Sequence, residues 1–226
     1  MTLVLAIDSS GSTTGIGLGR AGAPGIAVTE RGSRRHAEVI DELMMEVRGR
    51  SGDEHVDAIA VGVGPGPYSG LRVGIAFAIG LGRAWRCPVV GVCSLDAVAW
   101  TVADTDPLGG GFVVATDARR GEAYWALYDS QGLRVMGPQV TTRDRIPPEV
   151  DIVSEHEVDC AFMASRVAAF LDQGITPVSV EGGWAPHGAD GSQVSVPLGP
   201  LLAPHPLYLR APDITLTTKQ SIGPAI

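Results

Sequence analysis

Two apolar runs in this chain each end on a carboxylate, turn over a few small or polar residues, and come back as a second run. The first is "LVLAID", Leu3 to Asp8, followed by "SSGST" and the returning "TGIGLG" from Thr14 to Gly19. The second is "FVVATD", Phe112 to Asp117, followed by "ARRG" and "EAYWALYD" from Glu122 to Asp129. A hairpin that recurs in this way signals an internal duplication, which restricts the chain to architectures built from two copies of one unit.

The residues after the first hairpin define that unit. Ile26 to Arg31 predicts a third strand, and "HAEVIDELMMEVRGR", His36 to Arg50, sets Val39, Ile40, Leu43, Met44 and Val47 at helical spacing. "DAIAVGV", Asp57 to Val63, and "PVVGV", Pro88 to Val92, are apolar strands of the kind covered on both faces. Each leads into a helix, the first from Gly70 to Trp85 with Ser69 as its cap, the second capped by Ser94 and running to Val102. After the joint "ADTDPLGGG", Ala103 to Gly111, the second copy is weaker: strands in "LRVMGPQV" and "DIVSE", a helix from Ala161 to Leu171, and a strand from Thr176 to Gly182. The expectation is an α/β chain of two lobes, each built on a duplicated βββαβα unit, facing each other across a cleft, with the second lobe degenerate. The lobes are expected at residues 1–103 and 112–210, with residues 211–226 as a loose tail.

Charge and cysteine content narrow the function classes. Lys plus Arg is 17 against 25 Asp plus Glu, a formal charge of -8. A broad phosphate-tracking surface is therefore not expected, and any RNA would be held mostly by a more basic partner. Cys87, Cys93 and Cys160 form no CxxC pair and no His/Cys metal spacing, which fits a reducing compartment. The apolar run after Met1 stops at Asp8, short of a signal-peptide core, and no apolar stretch approaches the roughly 20 residues that cross a bilayer. The expected location is cytoplasmic.

Three places could carry chemistry. Asp8, at a strand end, with Ser9, Ser10, Ser12 and Thr13 after it, has the types that hold a hydrated metal and meet phosphates; the same residues also satisfy turn amides by themselves. In "GPGPYSG", Gly64 to Gly70, the amides of Gly64 and Gly66 and of the helix start could collect an anion, or the stretch is simply a tight turn. Beyond it Gly70, Gly74, Ala78 and Gly82 recur every four residues. Each interior glycine costs a helix about 1 kcal/mol relative to alanine, so a close neighbour is expected, in this chain or another, with the helix at 36–50 sharing the surface. Asp117, Arg119, Arg120 and Glu122 around the second turn could meet phosphate, a partner's carboxylates or only solvent. His36 has Ile40 four residues on, so no metal pair forms, and Ser69 lies in no G-x-S-x-G elbow.

Taken together, "AIDSSGSTTGIGLG", "GVGPGPYSGLRVGIAFAIGLGRAWRCPVVGVCSLDAVA", "ATDARRGEAYWALYD" and "PLYLR" resemble the TsaB (YeaZ) family of bacterial tRNA N6-threonylcarbamoyladenosine biosynthesis proteins. The likeness runs from Leu3 to Trp125 and returns at Leu207 to Arg210; Pro67, Tyr68 and Ser69 stand where the family more often has Ser, Phe and Thr. The resemblance implies an actin-like, Hsp70-type ATPase fold and kinship with the catalytic subunit TsaD. It carries over neither the H-x-x-x-H metal site of TsaD nor a catalytic residue, and "VEGGW", Val180 to Trp184, only faintly echoes adenosine-binding glycines. What it implies is a non-catalytic paralogue that binds TsaD, joins a ternary complex with the ATPase TsaE, pairs with itself when alone, and meets tRNA only through the complex. The partner-binding faces would be Val39, Ile40, Leu43, Met44 and Val47 on one helix and Gly70, Leu71, Gly74, Ala78 and Gly82 on the other. On that expectation a large charged residue at Ala78 abolishes pairing and leaves the fold intact. No cofactor is certain; ATP or ADP with Mg at the complex interface is the candidate, with Asp8, Ser9, Ser10, Thr13, Gly64, Gly66 and Asp117 as the nucleotide or anion set. The alternatives are an independent ATPase or small-molecule kinase using Asp8, Ser10 and Asp117, and a metallopeptidase, which the absent second histidine disfavours.

Overall fold

The computed structural model describes residues 1–32, 35–52, 54–147, 150–154, 157–178 and 199–209. The first strand, β1 (Val4–Asp8), is buried along its whole length. It pairs antiparallel with β2 (Thr13–Gly19), which in turn carries β3 (Ile26–Arg31) at the edge. On its other side β1 runs parallel to β4 (Ala58–Gly62), and β4 to β5 (Val89–Val92). The five-stranded order is β3-β2-β1-β4-β5. Parallel neighbours require crossover helices, and these are α1 (His36–Ser51) before β4 and α2 (Tyr68–Trp85) before β5. α1 and α2 cover the face that carries Leu5, Ile7, Ile59 and Val61. The opposite face, with Val4, Ala6, Ala58 and Ala60, is covered by α3 (Ser94–Thr105) and α4 (Cys160–Asp172).

A second sheet follows: β6 (Phe112–Asp117), β7 (Glu122–Tyr128), β8 (Arg134–Thr142) and β9 (Asp151–Val153), in the order β8-β7-β6-β9. That order, two antiparallel pairings and then a parallel one, repeats β3-β2-β1-β4. The duplication read from the two hairpins is present, and so is the degeneration. A single 3-10 turn, Arg143–Arg145, stands between β8 and β9 where the first unit has α1. The strand expected from Thr176 to Gly182 appears only as an isolated bridge between Val178 and Leu202, and residues 179–182 lie outside the described residues. "VEGGW" and the tail from 211 also lie outside them.

Two helices tie the sheets together. α3 is buried on both sides: Ala97 and Trp100 pack under the first sheet, while Leu95, Val98 and Val102 pack against Phe112, Val114 and Tyr128 of the second. α4 follows β9 in sequence yet covers the first sheet, so close to β2 that a Cβ on Gly17 would lie 2.5 Å from the Cys160 carbonyl carbon. Both expected helix caps shift. α2 starts at Tyr68 after Pro67, whose fixed φ of -58 and extended ψ of 133 put it just outside the helix, so Ser69 sits within the first turn. α3 starts at Ser94 after Cys93, because the Ser94 hydroxyl is drawn to Asp8 instead of to its own helix.

Candidate functional site

The turn after β1 is held by bonds that run inward. Asp8 is 5% exposed; its Oδ1 accepts from the Ser10 amide at 2.9 Å and the Ser10 hydroxyl at 2.8 Å, and its Oδ2 accepts from Ser94 Oγ at 2.7 Å. Burial pushes the carboxyl above its ordinary range, with the Ser94 and Ser10 bonds opposing. A Cβ on Gly62 would lie 1.7 Å from Oδ2, so the carboxylate presses against β4. Ser94 is a partner the sequence reading missed. It follows β5 at the same sheet edge where β1 ends on Asp8, and the strand order alone brings the two together. Its Oγ also accepts from the Gly64 amide at 3.3 Å, which commits one of the two glycine amides expected to face an anion.

The "GPGPYSG" stretch lies against this turn. A Cβ on Gly66 would be 2.0 Å from the Ser10 carbonyl oxygen. Ser9 Oγ donates to the Gly70 carbonyl at 2.8 Å and accepts from the Gly74 amide at 3.1 Å, bridging one turn of α2. A Cβ would meet the Ser9 carbonyl oxygen at 2.4 Å from position 70 and Ser9 Oγ at 2.4 Å from position 74. The small-residue row therefore faces its own chain: Gly70 and Gly74 make room for Ser9, Ala78 is fully buried, and Gly82 abuts Val89, with a Cβ there 2.3 Å from Cγ2. Leu71 is fully buried as well, and Val39, Ile40, Leu43, Met44 and Val47 of α1 are in the core beneath the first sheet. These ten residues were the expected partner-binding faces; in the structure they are buried within the chain itself, and the accessible parts of α1 and α2 lie on their outward sides. α2 crosses the β1 turn at backbone distance, and side-chain size shows only that something is near, not which chain it belongs to. Their burial also means that a charge at Ala78 attacks the core itself.

The outward side of α2 is a different row: Tyr68, Arg72, Ala76, Gly80 and Ala84 are exposed at intervals of four. A Cβ on Gly80 would meet nothing within 4 Å. At the head of the row Tyr68 stacks on Tyr208 with centroids 4.6 Å apart. Arg72 lies 3.7 Å from the Tyr68 ring centroid, donates from Nε to the Tyr208 hydroxyl at 3.1 Å, and donates also to the Tyr68 hydroxyl. α1 runs beside α2, with the Arg48 guanidinium 5.7 Å from the Trp85 ring centroid, and leaves Met45 66% exposed.

Between the hairpins of the two sheets is a cavity of about 300 Å³, reached by Ser10, Thr13, Pro65, Leu95, Asp117 and Glu157. Thr13 Oγ1 is buried there without a hydrogen-bond partner. On the far wall Asp117 lies 3.9 Å from Arg119 and 3.7 Å from Arg143, and Glu157 lies 3.3 Å from Arg31. Arg119 and Arg120 both have positive φ, 66 and 57, ahead of Gly121 at 78. The second hairpin is thus turned by two arginines in a conformation that favours glycine or asparagine. Both are exposed, as is Asp117, while Glu122 is half-buried. His36 is 5% exposed, with Nδ1 2.7 Å from Thr14 Oγ1; burial lowers its pKa and Asp8 opposes that. Among the described residues no group of three or more His, Cys, Asp or Glu is placed to hold a metal ion, and no helix is long and apolar enough to cross a membrane.

Comparison with known proteins gives these features a context. The family model described as "TsaD: tRNA N6-adenosine threonylcarbamoyltransferase" matches residues 23–170. An uncharacterized protein of Mycobacterium tuberculosis is 48% identical over 94 residues, 41% of this chain and 41% of that protein. The tRNA threonylcarbamoyladenosine biosynthesis protein TsaB of Escherichia coli is 33% identical over 137 residues, 58% of this chain and 57% of its own length. The matches thus span about half the length of these curated relatives. Among solved structures, YeaZ from Pseudomonas aeruginosa superposes with a TM-score of 0.67 over 77% of this chain and 94% of that one, at 23% identity, a likeness of fold. The two sheets of repeated order, joined through α3 and facing across a cleft, form an actin-like ATPase fold.

Proposed function

The chain belongs to the TsaB (YeaZ) family and, with it, to the wider family of the TsaD model, and on that premise we propose that it is a non-catalytic component of the machinery that makes N6-threonylcarbamoyladenosine in tRNA. In this reading it binds the catalytic subunit TsaD and organises it together with the ATPase TsaE. The observation that carries the reading is the state of Asp8: both carboxylate oxygens are engaged by Ser10 and Ser94 in a buried setting. Asp8 and Ser94 both line the cavity between the hairpins, and the carboxylate that a metal-dependent phosphoryl transfer would use there is committed to hydroxyls of its own chain.

The docking surface we assign is the outward side of α1 and α2. Ala76, Gly80 and Ala84 allow a partner helix close approach, and Tyr68 and Arg72 are of the types that anchor interfaces. The same face serves pairing of the chain with itself when TsaD is absent. Any ATP or ADP with Mg is held at the interface of the assembled complex, and tRNA is met through the partners, in keeping with the net charge of -8.

The test is threonylcarbamoyl transfer to tRNA by TsaD, TsaE and the adenylate-forming enzyme, with and without this chain. Modification that requires the chain, with no ATP turnover by the chain alone, is the expected result. Equal modification without it would remove the proposal.

A further inference from the structure

Two side chains of the second sheet converge on one buried carboxylate oxygen of α3. Asp96, in the first turn of α3, is 3% exposed. Its Oδ1 accepts from the Tyr128 hydroxyl at 2.7 Å, at the end of β7, and lies 2.9 Å from Arg134 Nε, at the start of β8. The Asp96 and Arg134 side chains are 4% and 3% exposed, and the Cys93 thiol adds another donor to the carboxylate. Arg134 is held from its other side, where Nη1 donates to the Gly137 carbonyl at 2.8 Å. Beside the cluster the β7–β8 turn abuts α3: a Cβ on Gly132 would be 2.8 Å from the Ala99 carbonyl oxygen.

The two sides of this cluster belong to different sheets. α3 is anchored under the first sheet through Ala97 and Trp100, whereas Tyr128 and Arg134 belong to the second. Apolar surfaces can slide over one another with a gradual change in burial. A buried ion pair cannot, because its net contribution to stability is small while separating the partners strands two charges in a dry interior. The directional element is the Tyr128 hydroxyl bond to Asp96 Oδ1, and the Arg134 charge beside it adds the cost of separation.

We propose that Asp96, Tyr128 and Arg134 form an interlobe lock that fixes the second sheet on α3 and holds the cleft between the β1–β2 and β6–β7 turns at one width. Hinge closure around a ligand would have to pull Arg134 from Asp96. The locked protein therefore presents a single shape, a property independent of which partner it meets.

The experiment measures cleft width in the full chain by electron–electron distance spectroscopy, with spin labels at exposed Ser12 and Arg119 after Cys87→Ser, in the otherwise native protein and with Tyr128→Phe or Asp96→Asn. Tyr128→Phe removes one hydroxyl and keeps the ring, which protects the fold. The expected result is a narrow distribution in the native background, unchanged by Mg·ATP, that broadens in both variants. Amides of the β7–β8 turn should exchange about fivefold faster in Tyr128→Phe, the factor for one net hydrogen bond. A distribution already broad in the native background overturns the lock. So does one that stays narrow in both variants while melting temperature falls, since the cluster would then be an ordinary stabilising contact.

Discussion

Glycine to alanine at two positions of α2 separates the inward from the outward side of one helix. Gly74 and Gly80 both lie within α2, and alanine at either gains about 1 kcal/mol of helix propensity. At Gly80 nothing opposes the gain, because the added methyl meets no atom within 4 Å. At Gly74 the methyl would lie 2.4 Å from Ser9 Oγ, which must move and surrender its bonds to the Gly70 carbonyl and the Gly74 amide. Two net hydrogen bonds at about 1 kcal/mol each, with about 2 kcal/mol for overpacking, outweigh the propensity gain. The expected outcome is a loss of about 3 kcal/mol for Gly74→Ala and a gain of about 1 kcal/mol for Gly80→Ala. Urea unfolding at 25 °C with unchanged m-values measures both. A neutral or stabilising Gly74→Ala would refute the account of Ser9 as the reason for the small-residue row.

The other predictions concern the candidate surfaces. Gly80→Arg, on the exposed row, is expected to leave the urea midpoint near the native value and abolish capture of TsaD in size-exclusion chromatography; a variant that still co-elutes would move the docking face elsewhere. Ala78→Arg, by contrast, is expected to abolish the folded circular-dichroism spectrum, since that site is fully buried; a folded Ala78→Arg would contradict the packing of α2. The pH dependence follows from Asp8. Its folded pKa is raised from 3.8, chiefly by burial, so the folded state holds the proton more tightly than the unfolded chain. Its contribution to stability is present at low pH and is lost as pH rises through the folded value. The Asp8→Asn variant should lack that part of the slope, and the difference between native and variant stability, plotted against pH, should be flat above the transition. A difference that grows in favour of the native protein as pH rises would mean that Asp8 is stabilised as a carboxylate.

The hairpin pair, the strand run and the principal helices were legible because each is written in local terms: an apolar run stopped by a carboxylate, or Val39, Ile40, Leu43, Met44 and Val47 at one face of a helix. What was not legible depends on which element lies behind which. The row at Gly70, Gly74, Ala78 and Gly82 announces a close neighbour, but the neighbour is the turn at Ser9 and the edge of β5, brought there by the parallel crossover. The exposed row at Tyr68, Arg72, Ala76, Gly80 and Ala84 is the same helix half a turn around, and its mixture of sizes masks it in the sequence. Asp96 reads as an ordinary first-turn acid. Only the placement of β7 and β8 against α3 shows that it meets Tyr128 and Arg134.

The path of α4 bears on how the molecule comes into being. A ribosome delivers β2 early, with the glycine-lined side of that strand bare, and the helix that closes it, Cys160–Asp172, only after the whole second sheet has been made. Domains as a rule fold in the order in which they emerge. Here the first-born sheet is the last to be finished, and during translation its glycine face waits open for a segment not yet synthesised.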